Sequence, residues 1–405
     1  MPLAENAMPV VPGHVPAELV RNIGLIVSEQ YLADPFRYLA GLHSDHPPIF
    51  YDTSSSMGPC WMIIKHDLAF RALRDTEHFI IDHAEAFPRD PDKYFKLIPL
   101  ESHPPDHRKY RLILDSLLSP KGVLKLEHDI RLLANQLIDR FIAKGECEFT
   151  ADFARRLPVS VFLNLMGLPL SMLDQFVTWV VSLIQLPDPA HAKQVMADIE
   201  NYLLSVIADK RACPDDGAIS QIAHARIDGE ALPERDVLGY AFFLFVAGID
   251  TVYSSFNSIW AWMARNPDRV REMSADSENI NNQVEELYRA FGSSFSGRTV
   301  SKDLKLGGVT MKAGDRLMGF IPACNYDPDI YPDSSEIRFD RPRKPLLTFG
   351  GGIHSCMGAH LARLELKVAL QEWFRRIPEF TIKSGAEITY VPNAVVGPIK
   401  VPLVW

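Results

Sequence analysis

The chain is poor in cysteine: five thiols in 405 residues, at Cys60, Cys147, Cys213, Cys324 and Cys356. An odd, scattered set of this kind argues against a disulfide framework and for a reducing compartment, so all five are expected to be reduced and the protein cytoplasmic. It lacks a block of Lys and Arg, and its net charge is −9, which disfavours nucleic acid as a partner. It lacks an apolar run long enough for a bilayer: the longest, Val237 to Ile249, is interrupted by Asp250 and falls short of the roughly 20 residues needed. The N-terminal stretch has prolines and an acid where a signal peptide would have a basic region and an apolar core. No repeat, low-complexity tract or glycine-rich flavin or nicotinamide fingerprint stands out.

What is present is core-forming: 47% of the residues are hydrophobic and 10% aromatic, and prolines are spread evenly. This predicts a loose arm over residues 1–20 and one integrated domain over 21–405. Apolar spacing of helical period covers about 108–118, 125–144, 151–167, 170–185, 190–211, 234–265, 267–274, 280–292 and 357–376. Strands are a minority, at Pro48–Tyr51, Cys60–Ile64 and within 298–320. The fold class is therefore mainly α with small β-sheets. The longest helix, Glu234 to Arg265, begins after Pro233, closes before Asn266-Pro267, and is apolar nearly all round, so it should cross the core.

Cys356 stands out, in the run Phe349-Gly350-Gly351-Gly352-Ile353-His354-Ser355-Cys356-Met357-Gly358. Its glycines let a loop approach a flat cofactor closely. The loop runs into a helix, whose N-terminal N–H groups and dipole favour a thiolate. A thiolate on haem iron pushes electron density toward the metal and favours O–O cleavage, which implies oxygen activation.

A second cluster lies inside the long helix. Ala247-Gly248-Ile249-Asp250-Thr251 places an acid and an alcohol in an otherwise apolar stretch. Thr251 can bond to the carbonyl one turn back and so bend or widen the helix. Glu286 and Arg289 are spaced to pair on one helix face, and His107 and Arg111 share another.

The Cys loop, F-x-x-G-x-H-x-C-x-G, resembles the haem-binding loop of the cytochromes P-450. The other motifs follow in that family's order from about residue 45 to the C-terminus. The camphor monooxygenase group of soluble class I bacterial members is especially similar at Phe339-Asp340, Ala359 to Arg363, Glu372-Trp373, Arg376-Ile377-Pro378 and the closing Pro402 to Trp405. The resemblance implies the single-domain triangular prism of that family, with haem b between the long central helix and the Cys-loop helix. It implies Cys356 as the metal ligand; Phe349, Gly358 and Ala247 around the cofactor; and His107, Arg111, Arg298 and His354 on the two propionates. It assigns Thr251 and Asp250 to holding O2 and relaying protons. It gives Glu286 and Arg289 a bracing role, with Arg338 as the expected third member.

By position, the substrate wall would include Phe95, Leu97, Phe243, Val246, Ala247, Ser294, Ala394 and Val395, which suits a compact apolar substrate such as a terpenoid or norisoprenoid. Two departures matter: Phe95 stands where the camphor enzyme has the Tyr that anchors its ketone, and Ser296 replaces an acid beside Arg298. The implied activity is a monooxygenase fed with two electrons by a 2Fe-2S ferredoxin and its NAD(P)H-dependent reductase, docking near Cys356 at Arg108, Lys109, Arg111 and Lys344. The protein is expected to be monomeric. Two alternatives stay open: a peroxide-driven haem-thiolate enzyme, and a non-enzymatic haem-based ligand-binding protein.

Overall fold

The computed structural model describes residues 11–23, 28–55, 58–81, 95–185, 189–390 and 395–405. Helices dominate, as the periodicity predicts. The long helix spans Glu234–Arg265, between Pro233 and Asn266, at the residues expected from sequence. By length and composition it could cross a membrane, yet most of its apolar window is buried inside the protein. Helices Arg156–Met166, Pro189–Ala212, Ala218–Ala223 and Ile280–Phe291 pack against it. The Cys-loop helix, Ala359–Arg376, lies across Glu127–Asp139 and Ile280–Phe291.

Several expected helices are divided. The stretch expected over 108–118 is two helices, Asp106–Ile113 and Asp115–Leu118, with Leu114 between them. That over 151–167 is a π turn, Thr150–Ala154, followed by Arg156–Met166. Others lie outside the expected set, among them Pro35–Asp45 and His66–Arg74. The first carries a readable signal: Asp34 caps it by accepting from Arg37 N–H at 3.0 Å, and Pro35 occupies the first turn, where its missing N–H costs nothing.

The largest sheet orders its strands Val20–Arg21, Ile49–Asp52, Cys60–Ile63, Arg316–Gly319, Ser296–Val300 and Phe79–Ile80. Its Arg316–Gly319 strand pairs in parallel with Cys60–Ile63 and antiparallel with Ser296–Val300, setting Arg298 opposite Leu317. The described part of the expected N-terminal arm is not loose. Val15 is buried, His14 reaches Asp315 at 2.8 Å, and Val20–Arg21 adds a strand to the sheet. Apolar Val15 and Val20 supply the burial that a free arm would forgo.

Candidate functional site

The Cys loop is shaped by its glycines. Gly352 adopts φ +68°, and a Cβ there would come within 2.7 Å of the Leu73 carbonyl oxygen, so a side chain is excluded twice over. Cys356 N–H donates to Phe349 O at 2.8 Å, folding the loop back on itself. The helix starts at Ala359 with Gly358 at its N-cap, so Cys356 lies just ahead of the first turn. Burial pushes its thiol above the usual range, while Gly358 N–H, Arg111 and Arg363 pull the other way. Its accessible surface lines a cavity. Phe349 covers the loop, with the Arg363 guanidinium 4.2 Å from its ring centre and the Tyr288 ring edge-on at 5.1 Å.

That cavity, of about 370 Å³, separates the long helix from the Cys loop. Phe243, Ala247, Gly248 and Thr251 form one wall; Phe349, Cys356 and Gly358 belong to the other. Gly248 has no room for a side chain, because a Cβ would stand 2.9 Å from the Phe162 ring. A small-residue wall facing a thiol suits a flat macrocycle with its metal toward sulfur.

At one end the cavity gathers basic side chains. His107, Arg111 and His354 line it, and the His107 and His354 rings meet at 4.5 Å. Arg298 stands behind them, 8% exposed, and among the described residues bonds only to Ser296 Oγ at 3.0 Å and its neighbouring Gly297 carbonyl at 2.7 Å. Arg111 donates to Ser355 O at 2.6 Å, and His107 Nε2 is buried with no partner among the described residues. Among those residues, too, no Asp or Glu forms an ion pair with Arg111 or Arg298. Burial pulls Arg298 down to about 10, and burial, reinforced by Arg111, pulls His107 down to about 4. Buried guanidinium groups without a carboxylate are costly, so this corner fits a ligand that brings two carboxylates, as haem propionates would.

The acid and the alcohol of the long helix point different ways. Thr251 is on the cavity wall and donates to Ala247 O at 3.3 Å, yet the helix stays α throughout, neither widened nor broken. Its carbonyl accepts from Ser255 Oγ at 3.1 Å and Ser293 Oγ at 3.3 Å. Asp250 is 1% exposed and off the wall, on the side of Tyr253 and Arg155. Burial lifts its carboxyl to about 6 against the pull of those two neighbours. Neither Tyr253 nor Arg155 stands out in the sequence, since nothing local marks them.

The Glu286–Arg289 pair is buried and bidentate, both contacts at 2.8 Å. Arg289 also donates to the carbonyls of Asn325, Ser334 and Glu336. The third member is Arg341, whose Nε reaches Glu286 at 3.0 Å, and not Arg338. Arg338 gives Glu286 only its backbone N–H, at 2.9 Å, while its side chain turns out to Asp340. The alternation of the Ile337-Arg338-Phe339 segment, which buries Phe339, sends Arg338 the other way.

Of the expected substrate wall, Phe243, Ala247 and Ser294 face the cavity. Phe95 does not: it is buried with its ring 5.3 Å from that of Phe242. Leu97 and Val246 also lie off the wall, and Val395 meets Ser294 through a backbone bridge. Ala394 falls outside the described residues. Sequence reading missed Pro99, Leu244, Phe295 and Glu365 as wall residues; all but Glu365 are apolar residues indistinguishable from core.

Comparison with known proteins gives the family. The family pattern described as Cytochrome P450 matches residues 159–387. The chain is 34% identical over 403 residues to the probable cytochrome P450 127A1 of Sinorhizobium fredii, covering 98% of this chain and 97% of the relative. It is 30% identical to the mycinamicin IV hydroxylase/epoxidase of Micromonospora griseorubida, covering 76% and 79%. Among solved structures, CYP101J2 superposes with a TM-score of 0.86 at 30% identity over 98% of this chain and 99% of that one. CYP101C1 gives 0.87 at 27% identity, covering 98% and 100%. A thiol facing an alcohol across a cavity with buried basic side chains at one end thus belongs to a member of the cytochrome P450 family, haem b monooxygenases.

Proposed function

We propose that the protein inserts one oxygen atom from O2 into an unactivated C–H bond of a small apolar substrate, a terpenoid or norisoprenoid, with electrons from a 2Fe-2S ferredoxin and its NAD(P)H-dependent reductase. One observation carries the reading: Cys356 and Thr251 face each other across a cavity whose end wall carries Arg111 beside His107 and His354. When bound, haem b supplies oxygen activation and the passage of electrons. Cys356 would ligate its metal. Arg111, Arg298, His107 and His354 would hold its propionates and fix its plane. Thr251 holds a proton at Oγ1 on the oxygen side. Asp250, with an affinity raised to about 6, can hold and release a proton near neutral pH, and Arg155 and Tyr253 keep it on the far side of the helix from substrate. Phe243, Leu244 and Phe295 exclude water and leave substrate few polar contacts.

The surface near Cys356 narrows the cations open to an acidic partner. Lys109 is engaged with Asp228 at 2.5 Å and Asp106 at 3.3 Å, and Arg111 is turned inward. Arg108 and Lys344 are exposed and form no ion pair among the described residues, so they are the ones free to meet a ferredoxin. The protein would act as a monomer in the cytoplasm. The test is to reduce the purified protein with dithionite, add carbon monoxide and record the Soret band, then follow NADH consumption with a ferredoxin pair. A strongly red-shifted band with substrate-dependent consumption is expected. A band at the His-ligated wavelength sinks the reading; turnover with peroxide alone would move it to a peroxide-driven enzyme.

A further inference from the structure

The cavity wall carries hydroxyl groups, and nearly all are spoken for. Ser255 and Ser293 donate to Thr251 O, and Thr251 donates to Ala247 O. Tyr288 donates to Ala362 O at 2.8 Å and Thr348 to Tyr288 O at 2.7 Å. Ser296 accepts from Arg298. Outside the Cys loop, Ser294 is the exception among the described residues: it lines the cavity, half-buried, and its hydroxyl forms no hydrogen bond to the protein. Its backbone is nonetheless pinned on both sides. Ser293 Oγ ties the preceding residue to the long helix, Val396 N–H donates to Ser293 O at 3.0 Å, and Ser294 bridges Val395. Ser294 is therefore a donor and acceptor held on a pinned backbone, on the same cavity lining as Thr251 and next in the chain to the serine that bonds Thr251 O.

A hydroxyl in this position is a liability for a purely apolar ligand, which would strip its water and offer nothing in return. For a ligand with a matching oxygen it is a handle, and a site built to bond such a group discriminates strongly against the analogue lacking it. Phe95 cannot play that part: it has no hydroxyl and lies off the wall. We propose that Ser294 is the specificity-determining contact for substrate, and that the substrate class is a compact hydrocarbon skeleton bearing one hydrogen-bonding oxygen, a ketone, ether or alcohol, held at Ser294 Oγ. This rests on the reading of the protein as a monooxygenase of small apolar substrates. One oxygen pinned at Ser294 also fixes which carbon faces the reactive centre.

The experiment is a set of spin-shift titrations of the ferric haem protein with three matched pairs: camphor and bornane, 2-adamantanone and adamantane, 1,8-cineole and p-menthane. Wild type, Ser294→Ala and Ser294→Thr are compared, each first checked for the thiolate-type carbon monoxide band. For at least one pair, the affinity ratio of oxygenated to hydrocarbon ligand should fall about tenfold in Ser294→Ala, the value of one hydrogen bond, and be kept by Ser294→Thr. Hydrocarbons should bind Ser294→Ala at least as tightly as wild type. Ratios that agree within about twofold between wild type and Ser294→Ala for every pair overturn the assignment to Ser294. Absence of the thiolate band in wild type would overturn the underlying haem-thiolate reading instead, so the two failures are told apart.

Discussion

Arg289 and Arg298 come from the same stretch of chain and are both withdrawn from solvent, at 2% and 8% exposure. Their surroundings are opposite. Burial alone would lower the proton affinity of Arg289, but Glu286 outweighs it, and three backbone carbonyls and Arg341 complete the cluster. Among the described residues Arg298 bonds only to a serine and one carbonyl, and burial pulls it down to about 10. The polypeptide finishes the first site by itself, whereas the second has no carboxylate partner among the described residues. A buried charge with its counter-ion in the chain braces a fold; one without it marks where an anion is to be bound.

The sharpest way to break this comparison is Glu286→Ala. It leaves Arg289 buried without its carboxylate, and a destabilisation of about 3–5 kcal/mol is expected in haem-free and haem-bound protein alike, read by denaturant unfolding. Next comes a buried acid, Glu365, which lines the cavity, has no counter-ion and one unpartnered oxygen among the described residues, and is lifted by burial to about 8. The unfolded chain releases that proton near 4.5, so between those values the folded state binds more protons and stability falls as pH rises. Haem-free protein should lose on the order of a few kcal/mol between about pH 5 and 8. Glu365→Gln should flatten that slope; an equally steep slope in the variant would show that another group titrates.

Arg298→Ala should do the reverse of Glu286→Ala. Stability of the haem-free protein should stay within about 1 kcal/mol or rise, while haem transfer to apomyoglobin accelerates by about 10- to 100-fold, the effect of removing one charge-assisted hydrogen bond to a propionate. Equal destabilisation of both forms would place Arg298 with Arg289 as a brace. The smallest effects concern the third member of that brace. Arg341→Ala should cost about 1–3 kcal/mol, and Arg338→Ala no more than about 0.5, since its partner Asp340 is exposed. Equal destabilisation by the two substitutions would restore Arg338 to the role expected from sequence.

Much of the fold was legible. The Glu234–Arg265 helix was readable to the residue because prolines flank it and its apolar surface is continuous. The Cys loop and its helix were readable because glycine, cysteine and helical periodicity occur together in one short run. Less legible was anything decided by direction. Asp250 and Thr251 are adjacent in sequence, yet successive residues of a helix point about 100° apart, so one faces the cavity and the other Arg155. Phe95 and Val246 resemble wall residues for a related reason: apolar character says that a side chain is buried, not what it is buried against.

The sequence by itself determined the family, the long helix and the glycine-rich loop that carries Cys356, because each rests on local spacing or on chemistry that few other residues supply. Only the tertiary structure decided that Arg341 completes the brace, that Arg155 and Tyr253 attend Asp250, and that the Ser294 hydroxyl on the cavity wall has no hydrogen-bond partner among the described residues. Those pairings join segments distant in the chain, and a hydrogen bond depends on angles and tenths of an ångström that packing alone sets.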